Sequence, residues 1–457
     1  MGLHLDWEIE ADQTITIGGG EDPATRRARR KARWNLLLGV FILLGILGSL
    51  YGVVWWRLQV INSEIERALR DTVDAEIATL RVGDRTAFLS IQRSASDAWA
   101  QVQAQNFEQY QQVKAERNLQ LTGEVVSLDV DGNRGRVQVQ EIVDGVPYVR
   151  TWFYWRYAEG WRHVPPDYTF WGDVDTLEGD AVRVRYRTLD QTVAEVVLPA
   201  VSGWVSGTCA ALTCGGIPTI TIDLVPDPNV VPAWAAVDPW TLRLPSPYTG
   251  VARLDRPFDP SVQVPAAALV AERLTSQVLA GAEPIYPADA FYLKSAVQDW
   301  LIGRYTSLDT GSTLVRSYAE RYGDAAVGEV LRGTSPGSDV RVLLAPAGVG
   351  ALNELAVDWR DYLTWRLTLE SELHAQRNEA AFVALYDTLD ANVAGLAFNR
   401  FATPAAFGPQ AVVAVQAEVN ASGVPVLAAT VQGGEGATAT QQVVRFRLSD
   451  GLWKRAS

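Results

Sequence analysis

The sequence predicts an α+β chain hung from one N-terminal transmembrane helix. Three observations carry that prediction. Residues 34–56 form an uncharged apolar run. Two stretches, 62–172 and 371–457, pass from helical spacing to strand alternation. Between them, residues 180–370 hold a proline-rich segment and then a long helical tract. The 457 residues are 48% hydrophobic and 20% charged, which excludes a disordered, collagen-like or disulfide-dense chain. The formal net charge of −13 argues against nucleic acid as a partner, because such binders need a basic footprint. The histidines are His4, His163 and His374. So few, so far apart, make a multi-histidine metal centre hard to build.

Trp34 to Trp56 reads WNLLLGVFILLGILGSLYGVVWW. As a helix it spans about 35 Å, against a hydrocarbon core of about 30 Å. Trp34, Trp55 and Trp56 stand at its ends, where interfacial aromatics belong. Arg26, Arg27, Arg29, Arg30, Lys31 and Arg33 precede it, and only Arg57 follows before Glu64 and Glu66. The positive-inside rule then makes this a single-pass anchor, with residues 1–33 a cytoplasmic tail and the remainder extracytoplasmic. The run is too long for the roughly 7–15-residue core of a cleaved signal peptide. Residues 1–33 carry six acids and six bases, so the net negative charge lies on the outer part. Arginine supplies 36 of the 40 cations, a bias that reads as a high-GC bacterial genome.

In the first outer stretch, Ile65, Leu69, Val73 and Ile77 recur at spacing four on one helical face. Gly83-Asp84 breaks that helix and Ala87-Phe88-Leu89 starts another. From residue 121 the pattern alternates: Glu124–Val130, a turn at Asp131-Gly132-Asn133, Val137–Val139, a turn at Asp144-Gly145, then the aromatic strand Tyr148–Tyr157 and Trp161–Val164. The opening helix, the AFLSIQ step after Gly-Asp and the closing FYWRYAEGWR hairpin resemble the nuclear-transport-factor-2-like fold. That resemblance implies a curved, cone-like sheet wrapped on helices, able to hold a ligand or an active site. His163 reads as a structural side chain rather than a catalytic base. Trp152, Trp155, Trp161 and Trp171 read as core and interface packing rather than a sugar platform.

In the middle stretch, Val182–Tyr186 and Ile217–Leu224 read as strands, and Glu195–Leu198 as strand or helix. Nine prolines between 226 and 265 predict irregular loop and edge structure there. Helices are predicted over Ala266–Leu279 and Phe291–Ile302. Laid on the HExxH string of gluzincin peptidases, Ala271-Glu272-Arg273-Leu274-Thr275 fills the slot, and Tyr292–Trp300 fills the following glutamate-bearing helix. With the later segments Leu314–Gly323, Val327–Leu331 and Leu355–Leu363, this region resembles a peptidase MA-like domain. The resemblance puts zinc-ligating histidines at 271 and 275 and a glutamate ligand at 295. Ala271, Thr275 and Ser295 stand there, and only Glu272, at the general-base position, survives. A carboxylate without a metal-bound water cannot run metal-assisted hydrolysis. No metal or other cofactor is expected.

Cys209 and Cys214 are the only cysteines. Outside the cell they read as a disulfide; half of a metal site is the rival reading, with its other ligands out of sight. In the last stretch, Ala380–Asp387 (AAFVALYD) echoes Ala87–Gln92, and Arg445–Arg455 parallels Trp155–Arg162 around a turn and a tryptophan. Residues 371–457 therefore read as a second nuclear-transport-factor-2-like module. The expected function is a membrane-anchored extracytoplasmic binding or scaffolding protein with a catalytically inactive peptidase-like domain, taking a peptide or protein in the vestigial cleft. The alternatives are a zinc metallopeptidase with unusual ligands and a membrane-tethered signalling regulator acting through its cytoplasmic tail.

Overall fold

A computed structural model describes residues 23–308, 311–403, 410–433 and 440–457. Most of the expected cytoplasmic tail, residues 1–22 with His4, lies outside them. The described chain mixes helix and sheet, as predicted.

α1 (Pro23–Val82) is one helix of 60 residues, about 90 Å long at 1.5 Å per residue. No glycine or proline lies between Arg57 and Val82, so nothing breaks the helix where the apolar run ends. The early part is long and apolar enough to cross a membrane by length and composition, and its side chains are exposed. Further along, Leu69, Val73, Ile77 and Leu80 are buried. The anchor run and the first outer helix, read from sequence as separate segments, are thus a single rod. It stops at Gly83, whose φ of 84° is left-handed. Asp84 then caps α2 (Arg85–Ile91) through the Ala87 amide, and α3 (Asp97–Glu116) follows.

β1 (Leu119–Asp131), β2 (Arg134–Val143), β3 (Val146–Tyr157) and β4 (Gly160–Val164) form an antiparallel meander. The β2–β3 turn puts both Asp144 and Gly145 at positive φ, as a two-residue hairpin with the right twist requires. Leu69, Val73 and Ile77 pack on Val137, Val139, Tyr154 and Trp161 of this sheet.

The middle of the chain builds a second sheet. β5 (Val174–Glu178) and β6 (Val182–Arg187) lead into α4 (Gln191–Leu212), then β7 (Ile220–Val225), β8 (Ala233–Trp234) and β9 (Thr241–Pro245). The strand order is β5-β6-β7-β9-β8, with β6, β7 and β9 parallel. α4 crosses over between the parallel strands β6 and β7. It resolves the open reading at Glu195–Leu198 as helix; Pro199, Gly203 and Gly207 masked its period. It too is apolar enough to span a membrane, yet Val193, Val197, Val201 and Val205 are buried in the core. The Cys209–Cys214 disulfide forms at its end, worth about 2 kcal/mol by chain entropy for so short a loop.

The proline-rich stretch is more regular than its composition predicts. β8 and β9 lie in it, and β10 (Val251–Arg253) pairs with β3, Val251 opposite Arg150, so the middle of the chain extends the first sheet. α5 (Pro260–Leu279) begins six residues before the expected Ala266. Pro260 opens it at a position whose N–H would have no helical partner anyway, and Asp259 caps it through the Ser261 amide at 2.8 Å.

α6 (Asp289–Thr306), α7 (Thr313–Tyr322), α8 (Asp324–Gly333) and the single turn α9 (Leu344–Ala347) complete the helical layer. A Cβ on Gly328 of α8 would lie 2.6 Å from the Ala211 carbonyl oxygen, so only glycine lets α8 sit against α4. α10 (Arg360–Ala375) runs through the expected boundary at 370–371. Its Leu363 and Leu367 join the helical core, while Leu369 and Leu373 pack with Phe382 and Tyr386. α11 (Glu379–Ala384), α12 (Ala391–Ala402) and the antiparallel meander β11 (Gln410–Val419), β12 (Pro425–Gly433), β13 (Thr440–Ser449) and β14 (Leu452–Arg455) end the chain.

Asp190 ties the link between β4 and β5 to the chain just after β9. Fully buried, it accepts from Trp171 Nε1 at 2.9 Å and from the Ser246 hydroxyl. Burial pushes its carboxyl up to about 6, against the opposing pull of those two donors and of Arg136 and Arg187.

Candidate functional site

The side chains best placed for chemistry lie in the first module, not in the peptidase-like slot. A cavity of about 680 Å³ opens between α3 and the face of β2 and β3, with Thr249, Gly250 and Val251 of the middle region at its rim. Aromatic walls come from Phe88, Trp99, Tyr110 and Trp152. Spacing explains the α3 wall: Trp99, Gln103 and Tyr110 recur at four and seven residues, one helical face.

At one end stands His163 on β4. Its Nδ1 lies 2.7 Å from Glu76 Oε1. Glu76, on α1, is fully buried and also accepts from the Tyr154 hydroxyl at 2.9 Å and from Gln92 Nε2 at 2.9 Å. The Nδ1 side of the ring therefore faces the Glu76 carboxylate, and Nε2 is the ring nitrogen not engaged by it. Trp99, Trp152 and Tyr154 surround the imidazole, with ring centres 5.1–5.6 Å away. Burial, and then Glu76, raises the Tyr154 phenol well above its ordinary value.

At the other end, Glu141 on β2 accepts from Arg150 Nε at 3.0 and 3.1 Å and from the Tyr110 hydroxyl at 3.4 Å. Burial, followed by the Glu141 charge, raises the Tyr110 phenol. The arrangement can bind a flat ring between aromatic faces.

The peptidase-like positions behave otherwise. Ala271 and Thr275 are fully buried on α5, and Glu272, one residue away, points to solvent. Arg273 stacks on Trp234, 4.6 Å from its ring centre. Leu274 is core. Thr275 turns its hydroxyl back onto the Ala271 carbonyl at 2.8 Å and accepts from Gln298 Nε2 of α6 at 3.0 Å. Ser295 is exposed. The α6 side chain that meets this slot is therefore Gln298, one turn along from the residue the string alignment selects. Lys294 pairs with Glu283 at 2.5 Å.

Of the tryptophans, Trp161 and Trp171 are core, Trp152 lines the cavity, and Trp155 is 41% exposed. His374 lies apart, against Phe382 and Phe401. Sequence reasoning missed Glu76. The signal was present: an acid inside the apolar stripe, three residues after Val73 and four before Leu80.

No family model, curated protein or solved structure matches this chain.

Proposed function

We propose that this protein is a membrane-tethered, extracytoplasmic binding protein whose ligand enters the cavity of the first module. The single observation that carries the reading is His163: nine-tenths buried, held by Glu76, and facing an aromatic cavity of about 680 Å³. α1 supplies the tether, with an uncharged run flanked by cations on one side.

The middle region is read as a peptidase MA-like domain without catalysis. Alanine, threonine and serine at 271, 275 and 295 cannot stand in for two imidazoles and a carboxylate around zinc. Its parallel strands β6, β7 and β9, with helices α5 and α6 after them, support that reading as architecture only. The first and last units are read as nuclear-transport-factor-2-like modules, supported by their shared order of helices followed by a four-strand meander.

A thermal-shift screen of small ring compounds on the full chain in detergent tests the binding role. Compounds that raise the melting temperature of the parent, but not of the cavity-filling variant Gln103→Trp, support it. A screen in which no compound separates the two proteins overturns it. Chelator-sensitive peptide cleavage by the parent would sink the inactive-peptidase reading.

A further inference from the structure

The cavity wall carries polar atoms that the protein leaves without partners. His163 and Gln103 are each 6% exposed, and both line the cavity. Neither His163 Nε2 nor the Gln103 side-chain amide makes a hydrogen bond among the described residues. Trp99 Nε1 and Thr151 Oγ1, in the same wall, are buried and also unpartnered. Leaving one buried polar group unsatisfied costs about 1–3 kcal/mol, so the two buried atoms, Trp99 Nε1 and Thr151 Oγ1, call for a partner.

The chemistry of those atoms selects it. Trp99 Nε1 only donates, and the Gln103 amide both donates and accepts. The occupant therefore offers a donor and an acceptor side by side. The charges of the wall are already matched: Arg150 is tied to Glu141, Arg117 to Asp144 at 2.6 Å, and Glu76 to three donors. A charged ligand would meet no unmatched counter-charge, and desolvating it is costly. The four rings favour a flat molecule. From these features the geometry points to a neutral, fused-ring ligand bearing an amide or lactam edge, read by Gln103 and Trp99 beside His163. This rests on the cavity being the ligand site.

The test uses the full chain in detergent and three probes of similar shape: 2-quinolinone, which has a lactam edge; naphthalene, which has none; and 2-naphthoate, which is charged. Isothermal titration and mutual competition are read for the parent, for Gln103→Met and for His163→Phe. Gln103→Met keeps the side-chain volume and makes no new demand on the core, so it remains informative if His163→Phe fails to fold. The expected result is that 2-quinolinone binds about tenfold more tightly than naphthalene, the worth of one to two net hydrogen bonds. Gln103→Met reduces that preference to about threefold or less, and 2-naphthoate binds most weakly. If the probes compete for one site with equal affinity, or if 2-naphthoate wins, the lactam assignment falls while the cavity remains the ligand site. If no probe binds, the cavity reading falls and takes the assignment with it.

Discussion

Glu76 and Glu370 hold equivalent places at opposite ends of the chain. Each is a buried acid on the first helix of its unit, and each accepts a hydrogen bond from a side chain sixteen residues later, Gln92 for one and Tyr386 for the other. Gln92 and Tyr386 in turn each make a lone parallel bridge to the last strand, to His163 and to Arg455. His163 pairs with Tyr154 across its hairpin as Arg455 pairs with Phe446, nine residues apart in both. The two frames agree, and their chemistry diverges. Glu76 is met by Tyr154, Gln92 and His163 beside a cavity, with no arginine among its partners. Glu370 is met by Arg455 at 2.6 Å, by Arg400 at 3.5 Å and by the Tyr386 hydroxyl at 3.0 Å.

That divergence predicts unequal responses to the same substitution. Glu370→Gln leaves the buried Arg455 without its counter-ion, and breaking a buried pair costs about 3–5 kcal/mol. Glu76→Gln leaves no buried arginine unpaired, so it costs about 1–3 kcal/mol, the loss of hydrogen-bond partners. Urea unfolding of both variants of the full chain checks the order. Equal losses would mean that the shared frame, and not the charge placed in it, sets the stability.

The joint at Asp190 predicts a dependence on pH. Its folded value of about 6 lies above the ordinary 3.8, so the folded state holds this proton more tightly than the unfolded chain. The destabilisation is absent below about pH 4, grows between pH 4 and 6, and is complete above that, reaching about 3 kcal/mol. Asp190→Asn can still accept from Trp171 and can donate to Ser246. The variant should therefore gain on the parent by up to that amount as pH rises from 4 to 7. A stability difference that stays flat across this window would show that Asp190 is ionised in the fold throughout.

These features differ in how legible they were. Leu69, Val73 and Ile77 announce their helix because burial repeats with the helical period, and the Asp144-Gly145 turn announces its hairpin because few residues tolerate positive φ. α4 hid because its exposed face carries Val196, Pro199, Gly203 and Gly207 where polar residues would mark the period. β10 hid because three residues between prolines carry no alternation, and its pairing with β3 depends on a partner about a hundred residues away. The cavity was illegible for a related reason. Gln103 and Trp99 look like solvated helix residues until β3 is folded over them, and Glu76 looks like one more surface acid. The closing hairpins resemble each other in sequence around a turn and a tryptophan, and the structure aligns Trp161 with Trp453 but not the two glycines. Gly160 lies in its strand, whereas Gly451 follows Asp450 in the turn with both at positive φ.

The contact between Thr275 and Gln298 predicts how a metal site could be rebuilt. Two triple variants share Ala271→His and Thr275→His and differ in the third change, Gln298→Glu or Ser295→Glu. Placing imidazoles at two fully buried positions overpacks the core by about 1–3 kcal/mol each. Zinc binding of about 10–16 kcal/mol can offset that only where three ligands converge. Gln298 already reaches residue 275, and Ser295 faces solvent. The Gln298→Glu variant should retain one zinc per chain after dialysis and the Ser295→Glu variant none. The reverse outcome would restore the string alignment and require α6 to sit one turn from where it packs here.

The continuity of α1 predicts how the outer domains are carried. Cations crowd the N-terminal side of residues 34–56, so a reporter fused after Ser457 that works only outside the cytoplasm should be active, and neutralising Arg26, Arg27, Arg29, Arg30, Lys31 and Arg33 should scramble the orientation. The helix then runs on without a break from Trp56 to Glu76, twenty residues or about 30 Å, so under the proposed anchoring the cavity would stand at a fixed height above a bilayer. A Gly-Pro pair at Gln59-Val60 removes a helical hydrogen bond and clashes with the preceding turn, costing about 3 kcal/mol or more locally. Because the core contacts of α1 begin only at Ile65 and Leu69, that break should leave the fold intact. Distances between a spin label near residue 58 and one on β1 should sharpen to a single value in the parent and broaden in the variant. A parent distribution as broad as the variant's would mean that the rod already bends at the membrane surface.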